Sequence, residues 1–382
     1  MNPLHGLLLA TCLMGPWLRT EAAGRVVVER LPEGWLQPRV ASGPDGTLHR
    51  VCLAGDPKAS DILYSFRRPH ATDWSRPVRV NQQPGSAIAI GTIRGPEIAI
   101  GQGGRVHVAW NGSSKTRPTL PNTTPLLCAR WDPDSGAFAH EAAVNAGTRH
   151  LDGGGAIAAD ASGRVWVFWH ASPDGAPDGE ASRRVFMAAS TNAGVAFAPG
   201  QPISPPERGA CGCCGLAARV DRTGSLHALF RAASADGNRD MVLLSSHDAG
   251  ATFAAGTVDR WKSNQCPMSL PGLADAKDGI LAAWESGRRV LWHTVAPGHL
   301  GPPSEPMGSG TRKHPVAISE PTGRTLVVWS EGTGWQKGGA VEWQLHDPLG
   351  RPEGTVERRE GLPPWSRPAA GVDADGNFLV LF

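Results

Sequence analysis

A short pattern returns seven times along this chain: a glycine turn, then an alternating apolar run that ends on a large residue. Six copies read Gly46-TLHRV-Cys52, Gly104-RVHVA-Trp110, Gly163-RVWVF-Trp169, Gly224-SLHAL-Phe230, Gly323-RTLVV-Trp329 and Gly376-NFLVL-Phe382. The seventh, Gly279-ILAA-Trp284, is one residue shorter. The anchor glycines stand roughly 45–60 residues apart, the period of propeller blades. A short apolar strand precedes each glycine, often with Asp two or three positions before it, so each unit opens with a hairpin. Most units continue with two more strands, such as RRVFMAAS then FAPGQPIS in the third and DMVLLSS then ATFAAGTV in the fourth. Four antiparallel strands repeated in series describe an all-β propeller. The large residue that ends each second strand, above all Trp110, Trp169, Trp284 and Trp329, is expected to pack between adjacent blades. Six units are complete. The seventh has only its opening hairpin, and the segment Arg25–Leu31 can supply its missing outer strand. The count favours seven blades over six.

Composition narrows the function. With 48 Gly and 33 Pro in 382 residues, the chain suits many short strands joined by turns. Charged residues make up 19% and the formal net charge is +2. No basic block exists, which argues against a nucleic-acid partner. Residues 1–23 read as an export signal, with an apolar run from Leu7 to Leu18 and small residues at Ala22 and Ala23. Attachment as a lipoprotein through Cys12 is the other reading of this segment. No later stretch is long and apolar enough to span a membrane. The expectation is therefore one propeller domain over 24–382, monomeric, secreted or held in the periplasm or cell envelope.

Strand direction alternates, so the loops sort onto two faces. The unusual segments all fall on the face that carries the second-to-third-strand loops and the connections between units. The residue just after the second strand is Asn111, His170, Arg231, Glu285 or Ser330, a set able to line a pocket around the axis or to form a solvated rim. Trp335 and Trp365 sit in loops of that face. Each can stack on a sugar ring or anchor its loop. The same face carries Cys211-Gly-Cys213-Cys214 and Cys266-Pro-Met268, in connections that open adjacent units. Two readings stay open there, beside a third, an unpaired thiol with redox function. One is a disulfide from one of the three clustered cysteines to Cys266, with Cys52 and Cys128 as a second bridge. The other is a soft metal site for Cu or Zn built from Cys211, Cys213, Cys214, Cys266 and Met268, with His314 as an additional ligand.

Between the third and fourth strands of unit four lies Ser246-His-Asp248-Ala-Gly250-Ala-Thr252-Phe253, which matches the Asp-box S-x-D-x-G-x-T-[W/F]. A partial copy, Ser190-Thr-Asn192-Ala-Gly194-Val-Ala-Phe197, stands at the same place in unit three, and Asp134-Ser-Gly136-Ala-Phe138 in unit two is a further trace. The chain therefore resembles the sialidase superfamily of Asp-box propellers. The segments CGCC, CPMS, RKHP and EGTGW are similar to those of a group of secreted bacterial sialidase-like proteins. The resemblance implies a glycoside hydrolase acting on acidic sugars. It directs attention to three arginines that clamp a carboxylate, for which the candidates are Arg94, Arg231 and Arg312. It also implies an acid, with Asp152 as candidate and Glu285 or Glu331 as partner carboxylates. His170 and Trp335 complete the expected substrate-binding set. The family's tyrosine nucleophile has no counterpart in a late unit: the sole tyrosine is Tyr64, in the first unit, where a packing role is expected. A non-catalytic propeller that binds a glycan or a protein, and a copper- or zinc-binding envelope protein, are the alternatives.

Overall fold

A computed structural model describes residues 24–117, 123–149, 151–263, 265–277, 279–295 and 302–382. The expected export segment, 1–23 with Cys12, lies outside the described residues. Among the described residues, seven sheets form seven blades. Their innermost strands are Trp35–Ser42, Glu97–Ile100, Ala156–Ala159, Ala217–Val220, Gly272–Ala276, Arg312–Ser319 and Ala369–Val372. Each packs beside the next, and the last packs beside the first, so the ring is closed.

The repeated glycines explain the hairpins. All seven anchors have positive φ, from 77° at Gly104 to 139° at Gly279. A side chain is strained in that region and glycine is not. The preceding carboxylates hold the turns. Asp160, Asp221 and Asp373 each accept backbone amides two and four residues ahead.

The large residues pack as expected. Cys52, Trp110, Trp169, Phe230, Trp284, Trp329 and Phe382 are all buried. Each belongs to a different apolar cluster, and each cluster joins residues of two adjacent blades. One such residue thus sits in every blade interface. An indole in this position removes about 200 Å² from water, worth roughly 5 kcal/mol before entropy. Cys52 and Cys128 do not form the expected bridge. Both are buried free thiols in different inter-blade clusters, and burial pushes each up to about 12.

The seventh blade closes the ring with chain from both ends. Val26–Glu29 pairs in parallel with Phe378–Leu381, register Val26 to Phe378. Val26 and Val28 pack against the cluster that holds Phe378 and Val380. The N-terminal segment thus supplies the third strand of a three-stranded blade.

The Ser246–Phe253 segment forms a tight turn between strands Met241–Ser246 and Ala254–Asp259. Asp248 Oδ1 accepts the Ser246 hydroxyl and the Thr252 amide at 2.7 and 2.9 Å, and Oδ2 accepts the Thr252 hydroxyl. Bonds from Thr252 and Ser246 hold the carboxyl at about 2. Tyr64 is a packing residue. Its hydroxyl bonds His49 Nδ1 at 2.8 Å, its ring meets Trp131 and Phe138, and burial raises its pKa.

Candidate functional site

Five inner strands are entered through residues forced into the left-handed region: Gln37 (φ 50°), Thr92 (65°), Met268 (48°), His314 (52°) and Trp365 (57°). None is glycine, and such backbone costs about 1–3 kcal/mol at each position. These entries converge on the axis at the expected face. Gln37 Nε2 donates to the Ala89 and Trp365 carbonyls, and its amide donates to Ser366 Oγ. Leu270 N donates to His314 Nδ1 at 3.2 Å, while His314 N donates to Ser269 Oγ at 3.1 Å. His314 is therefore the Nε2–H tautomer. Burial, with Arg367, Lys313 and Arg39 nearby, holds it well below its ordinary range.

Beneath them Arg367 is fully buried. It reaches the Thr92 carbonyl and Glu97, and Glu97 also binds Arg39 at 2.7 Å. Burial lowers Arg367 to about 9. Above, Met268, Lys313, His314, Trp335, Lys337 and Trp365 line a cleft. The cleft is small, about 30 Å³, so a sugar would lie across its mouth. Trp335 is 57% exposed.

Two of the three candidate arginines, Arg94 and Arg231, form ion pairs with candidate carboxylates. Arg94 donates from Nη2 to Asp152 Oδ1 at 2.5 Å and from Nε to the Asp152 carbonyl at 2.6 Å. It is the accessible pair, with side chains 26% and 44% exposed. A Cβ placed on Gly91 would lie 3.8 Å from the Trp335 ring and 3.9 Å from the Arg94 guanidinium. The cation and the exposed indole therefore flank one glycine, although they come from the second and sixth blades.

Arg231 is buried. It donates to the Arg239 and Glu285 carbonyls, lies over Trp261 at 5.0 Å, and stands 3.7 Å from Glu285 Oε2. Glu285 Oε1 caps the Arg288 amide at 2.8 Å. Burial raises Glu285, against the pull of Arg231. Arg312 is also buried, donates to the Pro306 and Met307 carbonyls and lies over Trp329 at 4.8 Å. Its cross-strand partner is Glu331, whose Oε1 accepts the Thr311 amide. The guanidiniums of Arg231 and Arg312 are thus occupied by loop carbonyls and indole faces.

The polar residues after the second strands form neither a solvated rim nor an open pocket. Asn111, His170, Arg231, Glu285 and Ser330 are all buried, and each keeps one buried polar atom without a hydrogen-bond partner among the described residues. Such a ring is unusual, because buried polar atoms are nearly always bonded. His170 Nε2 donates to the Cys214 carbonyl at 2.8 Å, and burial lowers its pKa.

The cysteine loops meet as expected. Cys213 is joined to Cys266, which ties connections that open the fourth and fifth blades. Cys211 and Cys214 are buried free thiols. The sulfurs of Cys211, Cys213 and Cys214 lie within 4.8 Å of one another. Two of the thiolates expected for a soft metal are therefore held in a disulfide, and Met268 lines the axial cleft.

Comparison with solved structures agrees with the propeller architecture. The chain aligns with a protein of unknown function from Dyadobacter fermentans (TM-score 0.53, 13% identity, 88% of this chain and 96% of that one). It aligns with the sialidase of Trypanosoma rangeli bound to the inhibitor DANA (0.53, 10%, 80% and 54%). It also aligns with an α-L-arabinanase of Penicillium chrysogenum bound to arabinobiose (0.53, 14%, 84% and 95%). The fold is a sialidase-like β-propeller. No protein-family model matches the chain, and no curated protein matches it. This sialidase-like propeller spans about half of the T. rangeli sialidase chain. At such identities the likeness carries architecture and no chemistry.

Sequence reasoning missed Gln37, Glu97, Arg367 and Lys313 at the axis. The available signal was the X-Pro step that opens several inner strands, as in Gln37-Pro38, His314-Pro315 and Arg367-Pro368.

Proposed function

We propose that this propeller binds a carboxylated sugar across the axial mouth of its loop-rich face. The observation that carries the reading is the pairing of Arg94 with Trp335 around Gly91. An accessible guanidinium can take a carboxylate through two parallel bonds. An exposed indole offers an apolar face to a sugar ring. Lys313 and Lys337 add positive charge to the same cleft. On binding, the ligand carboxylate would replace Asp152 as the partner of Arg94.

Hydrolysis of acidic sugars needs more. Glycoside cleavage uses two carboxyl groups that flank one ligand. Asp152 offers one. Glu285 and Glu331 each commit an oxygen to a loop amide, and the sole tyrosine is buried in the first blade. We therefore place binding ahead of turnover, and rank the retaining sialidase mechanism below both.

The test is titration calorimetry against a panel of sialosides, uronosides and their neutral parent sugars, with release of a fluorogenic aglycone followed in parallel. Binding confined to the carboxylated members, and lost in Arg94→Ala, supports the reading. Equal binding of neutral sugars, or none across the panel, overturns it. Turnover that needs Asp152 would promote the hydrolase reading.

A further inference from the structure

The cysteine cluster holds more sulfur than a staple requires. A bridge between two loops needs two cysteines, and Cys213–Cys266 provides it. Yet Cys211 Sγ lies 3.3 Å from Cys213 Sγ and 3.5 Å from Cys214 Sγ. Cys211-Gly-Cys-Cys214 is also a C-x-x-C pair, the spacing of dithiols that form and break disulfides. Burial differs sharply across the group. Cys211 and Cys214 are 1% exposed, whereas Cys266 is exposed and Cys213 half-buried.

The loop is anchored so that these sulfurs stay together. Gly212 N donates to Glu180 Oε1 at 2.7 Å, and Cys211 N donates to the Arg231 carbonyl at 2.9 Å. A Cβ on Gly212 would collide with Arg183. His170 holds the Cys214 carbonyl.

We propose that this cluster is a thiol–disulfide exchange site, in which the buried Cys211/Cys214 pair, a thiol bonded to a thiolate, exchanges with the Cys213–Cys266 disulfide. In the first step the Cys211 thiol passes its proton along its hydrogen bond to the Cys214 thiolate. Cys211 then attacks Cys213 Sγ. The Cys211–Cys213 bond forms, the Cys213–Cys266 bond breaks, and Cys266 leaves as a thiolate. In the second step Cys214 gives that proton to the departed Cys266 sulfur and attacks Cys211 Sγ. The Cys211–Cys214 bond forms, the Cys211–Cys213 bond breaks, and Cys213 leaves as a thiolate. One disulfide, one thiol and one thiolate are present before and after, so no external oxidant enters.

The surroundings suit this chemistry. Burial alone would raise the Cys214 thiol, but the Cys211 hydrogen bond and the Arg231 charge hold it down at about 7. The Cys214 hydrogen bond and burial push the Cys211 thiol well up, so Cys214 is the resting thiolate and Cys211 becomes the nucleophile only by handing its proton to Cys214. The result unties the connections that open the fourth and fifth blades and leaves a thiol and a thiolate at the surface end of the cluster. A partner of matching chemistry is a small or protein dithiol that reaches Cys266.

The experiment is disulfide mapping on the intact oxidised chain. The protein is quenched in acid, denatured, labelled with a maleimide, and digested after Arg and Lys. Cys211, Cys213 and Cys214 fall in one peptide, Gly209–Arg219, and Cys266 in another, Ser263–Lys277. The linked form joins the two peptides with two labels. The exchanged form gives a labelled Cys266 peptide and an internally bridged partner with one label. We expect both forms, and we expect purified linked protein returned to neutral buffer to regenerate the mixture. Cys214→Ser and Cys211→Ser should each lose the one-label peptide. If one variant fails to fold, the other and the wild-type regeneration still decide. Linked protein that stays linked, with two labels at every time, overturns the proposal. So does one bound copper or zinc per chain by elemental analysis with all four cysteines free.

Discussion

Arg94 holds Asp152 twice, by the carboxylate at 2.5 Å and by the main-chain carbonyl at 2.6 Å. A guanidinium with two bonds to one residue is oriented before a ligand arrives, which lowers the ordering cost of binding. Arg94→Ala should weaken a carboxylated sugar at least about tenfold, or ~1.4 kcal/mol. Because the pair is partly exposed, unfolding midpoints should move by no more than about 0.5 kcal/mol equivalent. Calorimetry and denaturant titration on the same variant check both.

Trp335 and Trp169 make opposite predictions. Trp335→Ala should leave stability within about 0.5 kcal/mol while reducing sugar affinity, since the ring is exposed. Trp169 is fully buried and stacks on Phe186 at 5.8 Å. Trp169→Ala should cost about 3–5 kcal/mol. The neighbouring Gly200 offers a finer check. A Cβ there would sit 2.5 Å from the Trp169 ring, so Gly200→Ala should cost about 1–3 kcal/mol by overpacking. Urea midpoints measure all three.

Glu285 and Arg231 are buried charges that offset one another. Removing one leaves the other uncompensated. Glu285→Ala should destabilise by about 3 kcal/mol, as for other broken buried pairs. Glu285→Gln also removes the charge but can keep the bond to the Arg288 amide, so it should cost less than alanine, about 2 kcal/mol. A larger loss for the amide than for alanine would contradict this account.

Acid should destabilise the propeller through its histidines. Burial lowers His49 and His107 to about 4, against about 6.5 in an unfolded chain. Between those values the unfolded state binds more protons, so stability falls as pH falls. The contribution is complete above about pH 6.5 and is lost progressively toward pH 4, up to about 3 kcal/mol per histidine. His107→Gln should flatten the slope of unfolding free energy over that window by about one proton.

The ring was legible in the sequence because two demands recur at fixed spacing. Every opening hairpin needs a residue of positive φ, and every blade interface needs one large buried group. Gly163 and Trp169, or Gly323 and Trp329, report those demands directly. Closure by Arg25–Leu31 followed from a hairpin that lacked partners. The site was less legible. Sequence places Arg231 and Arg312 on the correct face, but it cannot tell a guanidinium open to a ligand from one laid across loop carbonyls and an indole. It brings the clustered cysteines near Cys266 without choosing among them. Cys52 and Cys128 looked like a pair by remainder, yet the strand positions they hold face different blade interfaces. Arg367 and Gln37 escaped notice because their role arises only when inner strands distant in sequence meet at the axis.

The parallel clasp of the seventh blade also sets an order of events. Arg25 bonds Asn377 across 352 positions, so Val26–Glu29 is made long before the strand it pairs with. Until Phe378–Leu381 exists, Val26 and Val28 have no sheet to join and the first blade has one uncovered flank. The first six blades can stack as each is made, but the circle can lock only once Phe378–Leu381 has been made. A chain halted a few residues short would be an open arc with sticky ends, able to capture the matching end of another copy.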